Sequence, residues 1–545
     1  MTQKIQNVHT SDMTLAEQVG QVLTIGFDTT EPSQEAIALI QNQHVGSVIL
    51  FKRNIWDARQ VYELTQYLQR VARQAGHRHP LLIMIDQENG MVRRFGQSTT
   101  IFPGNMALGA IDSEQVAYDV ALATGRELIA LGINMNLAPD VDVNNNPANP
   151  VIGVRSFSED PQRVARLGVA MVKGYQQAGV ITTLKHFPGH GDTAVDSHLT
   201  LPVIAHTLER LTALELIPFT QAIDAEAECV MVAHMYLPAL MQEKMVPATV
   251  SHAVVTDLLR EKMGFNGVIV SDCMEMHALS DVVGTEQGVV QALQAGIDLI
   301  LVSHTYSRQR GSIDAIYAAL ANGTLSPERV RAAAERVQQL KACTLSWDTL
   351  PTVHTLSVIK SLAHQRVRDD AYTRSTTLVK DDMKLLPLRF SAEQRLLVLL
   401  LRPSIFSGAV DTDFPGEALI ENIQQHHSNT EVLSLTRHEA QQSYAKIVQA
   451  VEQASLVLVV TANANEDQYQ AQLVQQLLKT GKSVIGIAAY NPYDLLAFSE
   501  LGTYLVTYEY TQPAFAAVVR VLFGETRAQG RLPVSIPGLY PLLVE

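Results

Sequence analysis

The 545-residue chain is too long for one compact core, so its length predicts two domains. Its composition, with 47% hydrophobic and 18% charged residues, is that of a globular protein and excludes a disordered chain. The net charge of −14 at pH 7 argues against nucleic acid or an anionic membrane as a partner, because neither would attract the protein.

The start of the chain and its cysteines predict a soluble, cytoplasmic protein. Residues 1–15 contain no apolar core behind a basic segment, so we expect no signal peptide. No apolar run approaches the roughly 18 to 20 residues that a membrane span needs. The three cysteines, Cys229, Cys273 and Cys343, are widely spaced and odd in number. This pattern fits neither a zinc ribbon nor a disulfide scaffold, and it favours a reducing compartment.

Short apolar, β-rich runs alternate with helix-like sequence in the first part of the chain. Helices are predicted over 14–22 and 58–74, where apolar residues recur at helical spacing. Strands are predicted at 21–27, 45–51, 81–86, 133–140, the run that ends before Lys185, 229–234, 267–272 and 298–303. Eight such strands with helical crossovers predict an α/β fold of the TIM-like kind, a parallel (β/α)8 barrel.

A polar residue closes most of these runs. These residues are Asp86, Asp140, Lys185, His234, Asp272 and Ser303. A barrel of this kind places its chemistry at the carboxyl ends of its strands, so the predicted fold brings these side chains to one mouth. Helix capping and turn formation explain some of the Asp and Ser residues, but they explain the pair Lys185 and His186 poorly.

The second half of the chain predicts a smaller α/β domain. The periodicity breaks after Leu340, and a helix over 358–373 leads into apolar runs at 395–401, 431–435, 456–461, 483–489 and 504–508. An α/β/α sandwich of parallel strands between helices accounts for this alternation. No glycine-rich phosphate loop follows these strands, which argues against a nucleotide site. We expect the barrel to span residues 1–345, a linker and connecting helix 346–370, and the sandwich 371–545.

One segment concentrates chemically active side chains. It is KHFPGHGDT at 185–193, followed by DSH at 196–198, and its histidines and aspartates offer the ligand types of a zinc or two-metal site. However, His186 and His190 would share a face only in a helix, which Pro188 and Gly189 oppose. No H-E-x-x-H motif is present either. A metal-dependent hydrolase stays an alternative, and we expect neither a metal nor a cofactor.

Acid–base and nucleophilic chemistry on a glycosidic bond is the second interpretation of these residues. A retaining glycosidase needs a proton donor and a carboxylate about 5 Å apart. Asp272 ends a rigid apolar strand and can supply the carboxylate. His198 can donate the proton, with Asp196 holding its ring. Taken singly, Asp272 also fits a helix cap, and the tripeptide 196–198 fits an Asx turn with a surface histidine.

Motifs spread over essentially the whole chain carry a family resemblance. They are KHFPGHGDT at 185–193 with DSH at 196–198 and Pro202, DQENGMVRR at 86–94, NPVIGVRSFSEDP at 149–161, VSDCMEM at 270–276, DDMKLLPL at 381–388 and GRLPVSIPG at 530–538. Together they resemble the glycoside hydrolase family 3 β-N-acetylglucosaminidases in their two-domain form. The long signature ending in DSH is highly specific.

The resemblance implies a role for individual residues. Asp272 would be the nucleophile, and His198 with Asp196 the acid/base dyad on a mobile loop. Asp86 would accept hydrogen bonds from sugar hydroxyls. The residues expected to surround N-acetylglucosamine in the terminal subsite are Arg94, Arg155, Lys185 and His186. Family 3 glucosidases take a glutamate from their second domain as acid/base, so the DSH loop implies a second domain that is structural or lends one residue to the rim.

Two positions depart from the family pattern. Asn89 stands where a glycine is usual, and we expect the turn to survive because asparagine tolerates positive φ. Cys273 follows the expected nucleophile where small or acidic residues are common. We expect it to alter the pocket slightly and to have no catalytic role.

The sequence therefore predicts a retaining exo-β-N-acetylglucosaminidase, a glycoside hydrolase of the β-N-acetylhexosaminidase type. It would release terminal β-linked N-acetylglucosamine from peptidoglycan fragments or chitooligosaccharides through a covalent glycosyl-enzyme on Asp272. Alternatives are a phosphorylase that uses phosphate as acceptor and a non-catalytic sugar-binding protein. The expected partner is a small carbohydrate, with no nucleic acid or membrane, and the chain is expected to be a monomer or homodimer. A cytoplasmic location favours recycling of imported muropeptides.

Overall fold

The computed structural model describes residues 13–193, 195–197, 200–241, 245–402, 410 and 414–543. Eight parallel strands close in chain order into a barrel, whose last strand pairs with its first. They are β1 Leu23–Ile25, β2 Ser47–Leu50, β3 Leu82–Ile85, β4 Met135–Asn136, β5 Ile181–Phe187, β6 Cys229–Val232, β7 Val268–Cys273 and β8 Leu299–Val302. The predicted TIM-like barrel is confirmed. Each strand lies within its predicted run, except β5 and β7, which extend beyond theirs.

Helices cross from each strand to the next along the outside of the barrel. They are α1 Leu15–Gln21, α2 Gln34–Asn42, α3 Ala58–Gln74, α4 Asn105–Ile111, α5 Glu114–Ala130, α6 Pro161–Ala178, α7 Leu208–Ala213, α8 Leu216–Asp224, α9 His277–Ser280, α10 Thr285–Ala295, α11 Tyr306–Ala321 and α12 Pro327–Thr344, with a π-helix at Ala253–Lys262. Side-chain caps fix where several begin. Asp57 accepts the Gln60 backbone N–H at 2.8 Å and starts α3 at the predicted residue.

Strand β5 continues past the point where the sequence predicted a loop. Lys185 and His186 lie inside it, because the backbone of Phe187 is still in register with Val232 of β6. The Phe187 ring is fully buried and packs edge-on against Phe219, with ring centroids 5.4 Å apart. Lys185 and His186 are thereby held on a strand rather than on a loop, which fixes their side chains more firmly.

Apolar side chains fill the inside of the barrel. Those from β2 to β8 form one buried cluster that includes Ile49, Leu82, Met84, Met135, Ile181, Met231, Val270, Leu299 and Leu301. A filled barrel is a packed core rather than a pore, so ligands can reach only its mouth. That mouth, at the carboxyl ends of the strands, is where the site must lie.

The second domain is built on a six-stranded sheet. Its strands are β9 Thr377–Asp381, β10 Leu396–Leu401, β11 Thr430–Leu435, β12 Leu456–Thr461, β13 Val484–Ala488 and β14 Thr503–Val506, in the order β11-β10-β12-β13-β14-β9. The helices are α14 Gly416–His426, α15 Arg437–Gln442, α16 Tyr444–Gln453, α17 Gln468–Lys479 and α18 Gln512–Leu522. Five strands are parallel, as predicted. The edge strand β9 was not predicted and runs antiparallel to β14.

A connecting helix and shared packing join the two domains. Helix α13, Leu362–Ser375, contacts α4 and α5 of the barrel and α18 of the second domain. The core of the second domain also takes in barrel side chains, among them Met91, Met106 and Val154. Among the described residues, no helix is both long and apolar enough to cross a membrane.

Candidate active site

A cavity of about 460 Å³ opens at the carboxyl ends of the barrel strands. Its lining includes six of the eight residues singled out from the sequence, namely Asp86, Arg94, Arg155, Lys185, His186 and Asp272. Of the expected dyad, Asp196 is buried nearby in a described segment, whereas His198 lies outside the described residues. The structure thus brings together the expected nucleophile and the expected sugar-binding residues from distant parts of the chain.

A buried cluster of ion pairs forms one wall of the cavity. The Lys185 ammonium lies 2.7 Å from Asp86 Oδ1 and 2.6 Å from Glu88 Oε1. The Arg155 guanidinium binds both oxygens of Glu88, at 2.8 and 2.9 Å. This fork geometry is the strong form of an ion pair and fixes the plane of the arginine.

The cluster stays charged although it is removed from water. Burial would raise the pKa of Glu88, but Arg155 and Lys185 outweigh it and hold that pKa well below its usual range. Burial would likewise lower the pKa of Lys185, and the carboxylates of Asp86 and Glu88 raise it instead. Because Lys185 has three N–H donors and two face these carboxylates, the third can serve a sugar hydroxyl.

The proton on His186 follows from its two neighbours. Arg155 Nη2 lies 3.2 Å from His186 Nε2, and Asp142 Oδ2 lies 2.7 Å from His186 Nδ1. A guanidinium can only donate and a carboxylate only accepts. These contacts assign the lone pair to Nε2 and the proton to Nδ1.

Asp140, Asp142 and His186 form a compact buried group whose ligand atoms lie within 4.8 Å of one another, the spacing of a metal site. Burial and the neighbouring Asp142 raise the pKa of Asp140 well above its usual value, which favours the protonated form of that carboxyl. Asp142 already accepts the backbone N–H of His190 at 2.6 Å as well as the His186 ring. Arg155 Nη2 lies 3.5 Å from Asp140 Oδ2. These donors and protons suit a hydrogen-bond network, and the cluster is a poor fit for a cation.

Asp272 stands at the end of β7, and its backbone surroundings are fixed. Its Oδ1 accepts the backbone N–H of Cys273 at 2.7 Å. His234 Nε2 donates to the carbonyl of Cys273 at 2.9 Å, and its Nδ1 lies 2.7 Å from the Thr249 hydroxyl. Cys273 lines the cavity, as expected, and burial raises the pKa of its thiol to about 12, so the thiol is protonated.

The turn after β3 confirms the expectation for Asn89. Its φ is +74°, in the left-handed region that asparagine tolerates better than most residues. The turn folds the chain back so that the Arg94 backbone N–H donates to Gln87 Oε1 at 3.0 Å. Arg94 thereby reaches the cavity lining.

Sequence reasoning missed several residues of the site. Glu88 was noticed only as part of a motif, and Asp142 was passed over in favour of Asp140 at the predicted strand end. Each lies two residues after an aspartate that ends a predicted strand, Asp86 or Asp140, which is a usable signal. From the second domain, Val410 lines the cavity. That residue contributes to the rim, one of the two roles expected for the domain.

Family models match nearly the whole chain. Residues 14–340 match the model described as the glycosyl hydrolase family 3 N terminal domain, and residues 376–539 match that of the family 3 C-terminal domain. The chain belongs to glycosyl hydrolase family 3. Its two matched segments coincide with the barrel and the sheet domain of the structure.

Relatives cover both domains of this family 3 protein. Beta-hexosaminidase A of Pseudoalteromonas piscicida is 32% identical, over 96% of this chain and 97% of that protein. A solved family 3 beta-N-acetylglucosaminidase from Paenibacillus sp. str. FPU-7 superposes with a TM-score of 0.88 at 39% identity, covering 98% of this chain and 100% of that one. A fungal multi-domain family 3 beta-N-acetylglucosaminidase gives 0.92 at 43% identity, and this chain spans 62% of its length.

We predict that Glu88→Gln damages both the fold and the site. It removes the buried carboxylate that Lys185 and Arg155 share, a loss that typically costs about 3–5 kcal/mol. Because both cations would shift, kcat/KM should fall about 100-fold or more. Urea denaturation and initial rates on an aryl N-acetylglucosaminide would measure the two effects.

The matched control for this variant is Glu286→Gln. Glu286 pairs with Arg308 at 2.8 Å on the surface, where an ion pair contributes about 1 kcal/mol or less. Equal stability and activity of Glu88→Gln and Glu286→Gln would contradict a central role for the buried cluster.

Proposed function

We propose that this family 3 protein is a retaining exo-β-N-acetylglucosaminidase. The observation that carries the proposal is one cavity in which the Asp272 carboxylate shares space with Asp86, Lys185 and Arg155. A carboxylate facing hydrogen-bond donors and acceptors for sugar hydroxyls is the arrangement that glycosidic chemistry needs. The names of the relatives, beta-hexosaminidase and beta-N-acetylglucosaminidase, agree with it.

The wall of ion pairs binds the terminal sugar. Asp86 accepts from sugar hydroxyls, and the remaining N–H of Lys185 donates to one. Arg155, Arg94 and His186 contact the rest of the ring and its acetamido group. The packed barrel beneath closes the cavity at one end, which suits a terminal residue of a chain. These groups are fixed before the substrate arrives, so their orientation costs little on binding.

The reaction has two displacement steps. In the first, an Asp272 oxygen attacks the anomeric carbon while His198 gives its proton to the leaving oxygen, so one C–O bond forms as another breaks. In the second, His198 takes a proton from water, whose oxygen attacks the same carbon and frees Asp272. Asp196 holds the His198 ring and stabilises its charged form.

We predict that Asp272→Ala abolishes turnover, with a loss of at least about 10⁴-fold in kcat, because the nucleophile is lost and the cavity carboxylates of Asp86 and Glu88 are engaged in ion pairs with Lys185. The assay is release of 4-nitrophenol from its β-N-acetylglucosaminide. Asp281→Ala is the matched control, since Asp281 is an exposed carboxylate on the same βα connection that pairs with His277 at 3.0 Å. Substantial turnover by Asp272→Ala would refute the assignment.

We predict that His198→Ala discriminates between substrates by their leaving group. On chitobiose, whose sugar leaving group needs a proton, kcat/KM should fall about 10²–10⁴-fold. On 4-nitrophenyl N-acetylglucosaminide, which leaves unaided, the loss in kcat/KM should stay below about tenfold. Azide should raise kcat of the variant by replacing water as acceptor. Equal losses on both substrates would argue against His198 as the acid.

The acceptor and the leaving part of the substrate are tested by one product assay. We infer a cytoplasmic enzyme that acts on muropeptides, because its cysteines form no disulfide and because Lys52 and Arg53 line the cavity. Cations there attract a leaving group that bears carboxylates. Chitobiose and a muropeptide disaccharide are digested with and without phosphate, and the anomers are followed by NMR.

This assay should give free N-acetylglucosamine, first as the β-anomer, in the presence of phosphate as well as in its absence. The muropeptide should be the better substrate, and added salt should reduce that preference. N-acetylglucosamine 1-phosphate would instead identify a phosphorylase. A preference for chitobiose would contradict the proposed substrate.

A further inference from the structure

His190 is a buried histidine that the proposed reaction does not use, yet both of its ring nitrogens are engaged. The side chain is 1% exposed. Its Nδ1 lies 2.8 Å from the Thr193 hydroxyl, and its Nε2 lies 3.1 Å from the Ser197 hydroxyl. Burial lowers the pKa of the ring to about 4, so it stays neutral and offers one donor and one acceptor. In either tautomer, the hydroxyls of Thr193 and Ser197 can match the ring, because a hydroxyl can donate to the bare nitrogen or accept from the protonated one.

Ser197 is the residue between the two members of the expected dyad. It is 3% exposed, and it lines the same cavity as Asp272 and His190. Its hydrogen bond to His190 therefore joins the strand-end segment to the tripeptide 196–198 close to the reacting groups. A bond at this point restrains the described segment that contains Asp196, and His198 is the next residue along the chain.

The segment that carries His190 is itself firmly held. The Asn149 side-chain amide donates to the carbonyls of His190 and Gly191, at 2.9 and 2.8 Å. A Cβ at Gly191 would lie 1.7 Å from the Val143 carbonyl oxygen, so this backbone passes too close to its neighbour for any side chain. The backbone around His190 is thus held in place, so its side chain can anchor a neighbouring segment through a hydrogen bond.

Hydrogen bonds also link His190 to the proposed sugar-binding wall. The backbone N–H of His190 donates to Asp142, the carboxylate that also accepts the proton of His186 Nδ1. His186 in turn contacts Arg155. One carboxylate therefore sets the position of a sugar-binding histidine and of the histidine that holds Ser197.

We infer that the His190–Ser197 hydrogen bond is a latch that positions the Asp196–His198 dyad against the glycosidic oxygen. His190 and Ser197 are positioning residues, since they act through the dyad and not on the substrate. The inference rests on the proposed function of His198 as the acid. Without the latch, the proton donor would spend less time at the correct place, and substrates that need protonation would suffer most.

Two substitutions remove the latch and one keeps it. Ser197→Ala deletes the hydroxyl, and His190→Asn places its amide near the former Nδ1, where it reaches Thr193 but not Ser197. His190→Gln places its amide near the former Nε2 and can still bind Ser197. In the first two variants, kcat/KM on chitobiose should fall about tenfold, the value of one hydrogen bond. On the 4-nitrophenyl substrate, kcat/KM should change less than about twofold, and His190→Gln should recover most of the loss.

Backbone hydrogen exchange of the segment 193–200 separates this inference from the proposed function. It should speed up about tenfold in Ser197→Ala and His190→Asn but not in His190→Gln, while the melting temperatures stay near that of the native protein. If exchange is faster in Ser197→Ala and His190→Asn but His198→Ala is equally impaired on both substrates, the latch is supported and the role of His198 as the acid is refuted. Unchanged exchange would overturn the latch, and so would equal effects of Ser197→Ala on the two substrates when His198→Ala does discriminate between them.

Discussion

The buried ion-pair cluster of Glu88, Lys185 and Arg155, with Asp86 at its edge, is the constraint on which the site depends. Removing each ion from water costs several kcal/mol, which only close and well-directed partners offset. The two carboxylates and two cations balance in charge. Because they come from the ends of β3 and β5 and from the segment after β4, the barrel must close correctly for any of them to be compensated. Folding and preparation of the proposed sugar site are therefore the same event.

Two carboxyl groups only two residues apart have pKa values that are shifted in opposite directions. Burial and like charge raise the pKa of Asp140 well above its usual value, whereas the electrostatic attraction of His186 and the hydrogen bonds from His186 and His190 outweigh burial and lower the pKa of Asp142. This division avoids a second buried negative charge that has no cation of its own. It also fixes the tautomer of His186, because an ionised Asp142 needs a donor at Nδ1. A single amide or hydrophobic residue could not replace this arrangement without changing that tautomer.

Features with a local cause could be predicted from the sequence, and features set by distant partners could not. Strands of a parallel sheet are buried on both faces and appear in the sequence as apolar runs, so nearly all of the strands could be predicted. The positive φ of Asn89 is likewise a local property. The end of β5 at Phe187 depends on pairing with β6, and β9 is a half-exposed edge strand without an apolar run. Glu88 was missed because its role depends on an ion pair with Arg155, which is 67 residues away in the sequence.

The second domain supports the site mainly by packing against the segments that carry its residues. Its core takes in Met91 and Val154, which flank the segments that carry Arg94 and Arg155. Glu509 accepts the backbone N–H of Gly104 at 2.8 Å. This hydrogen bond fixes the start of α4, beside the turn that contains Asn89. A turn at positive φ and a segment without regular structure have little stability of their own. The described residues of the domain therefore supply the packing that holds these segments, and what they contribute to the proposed sugar-binding wall is rigidity.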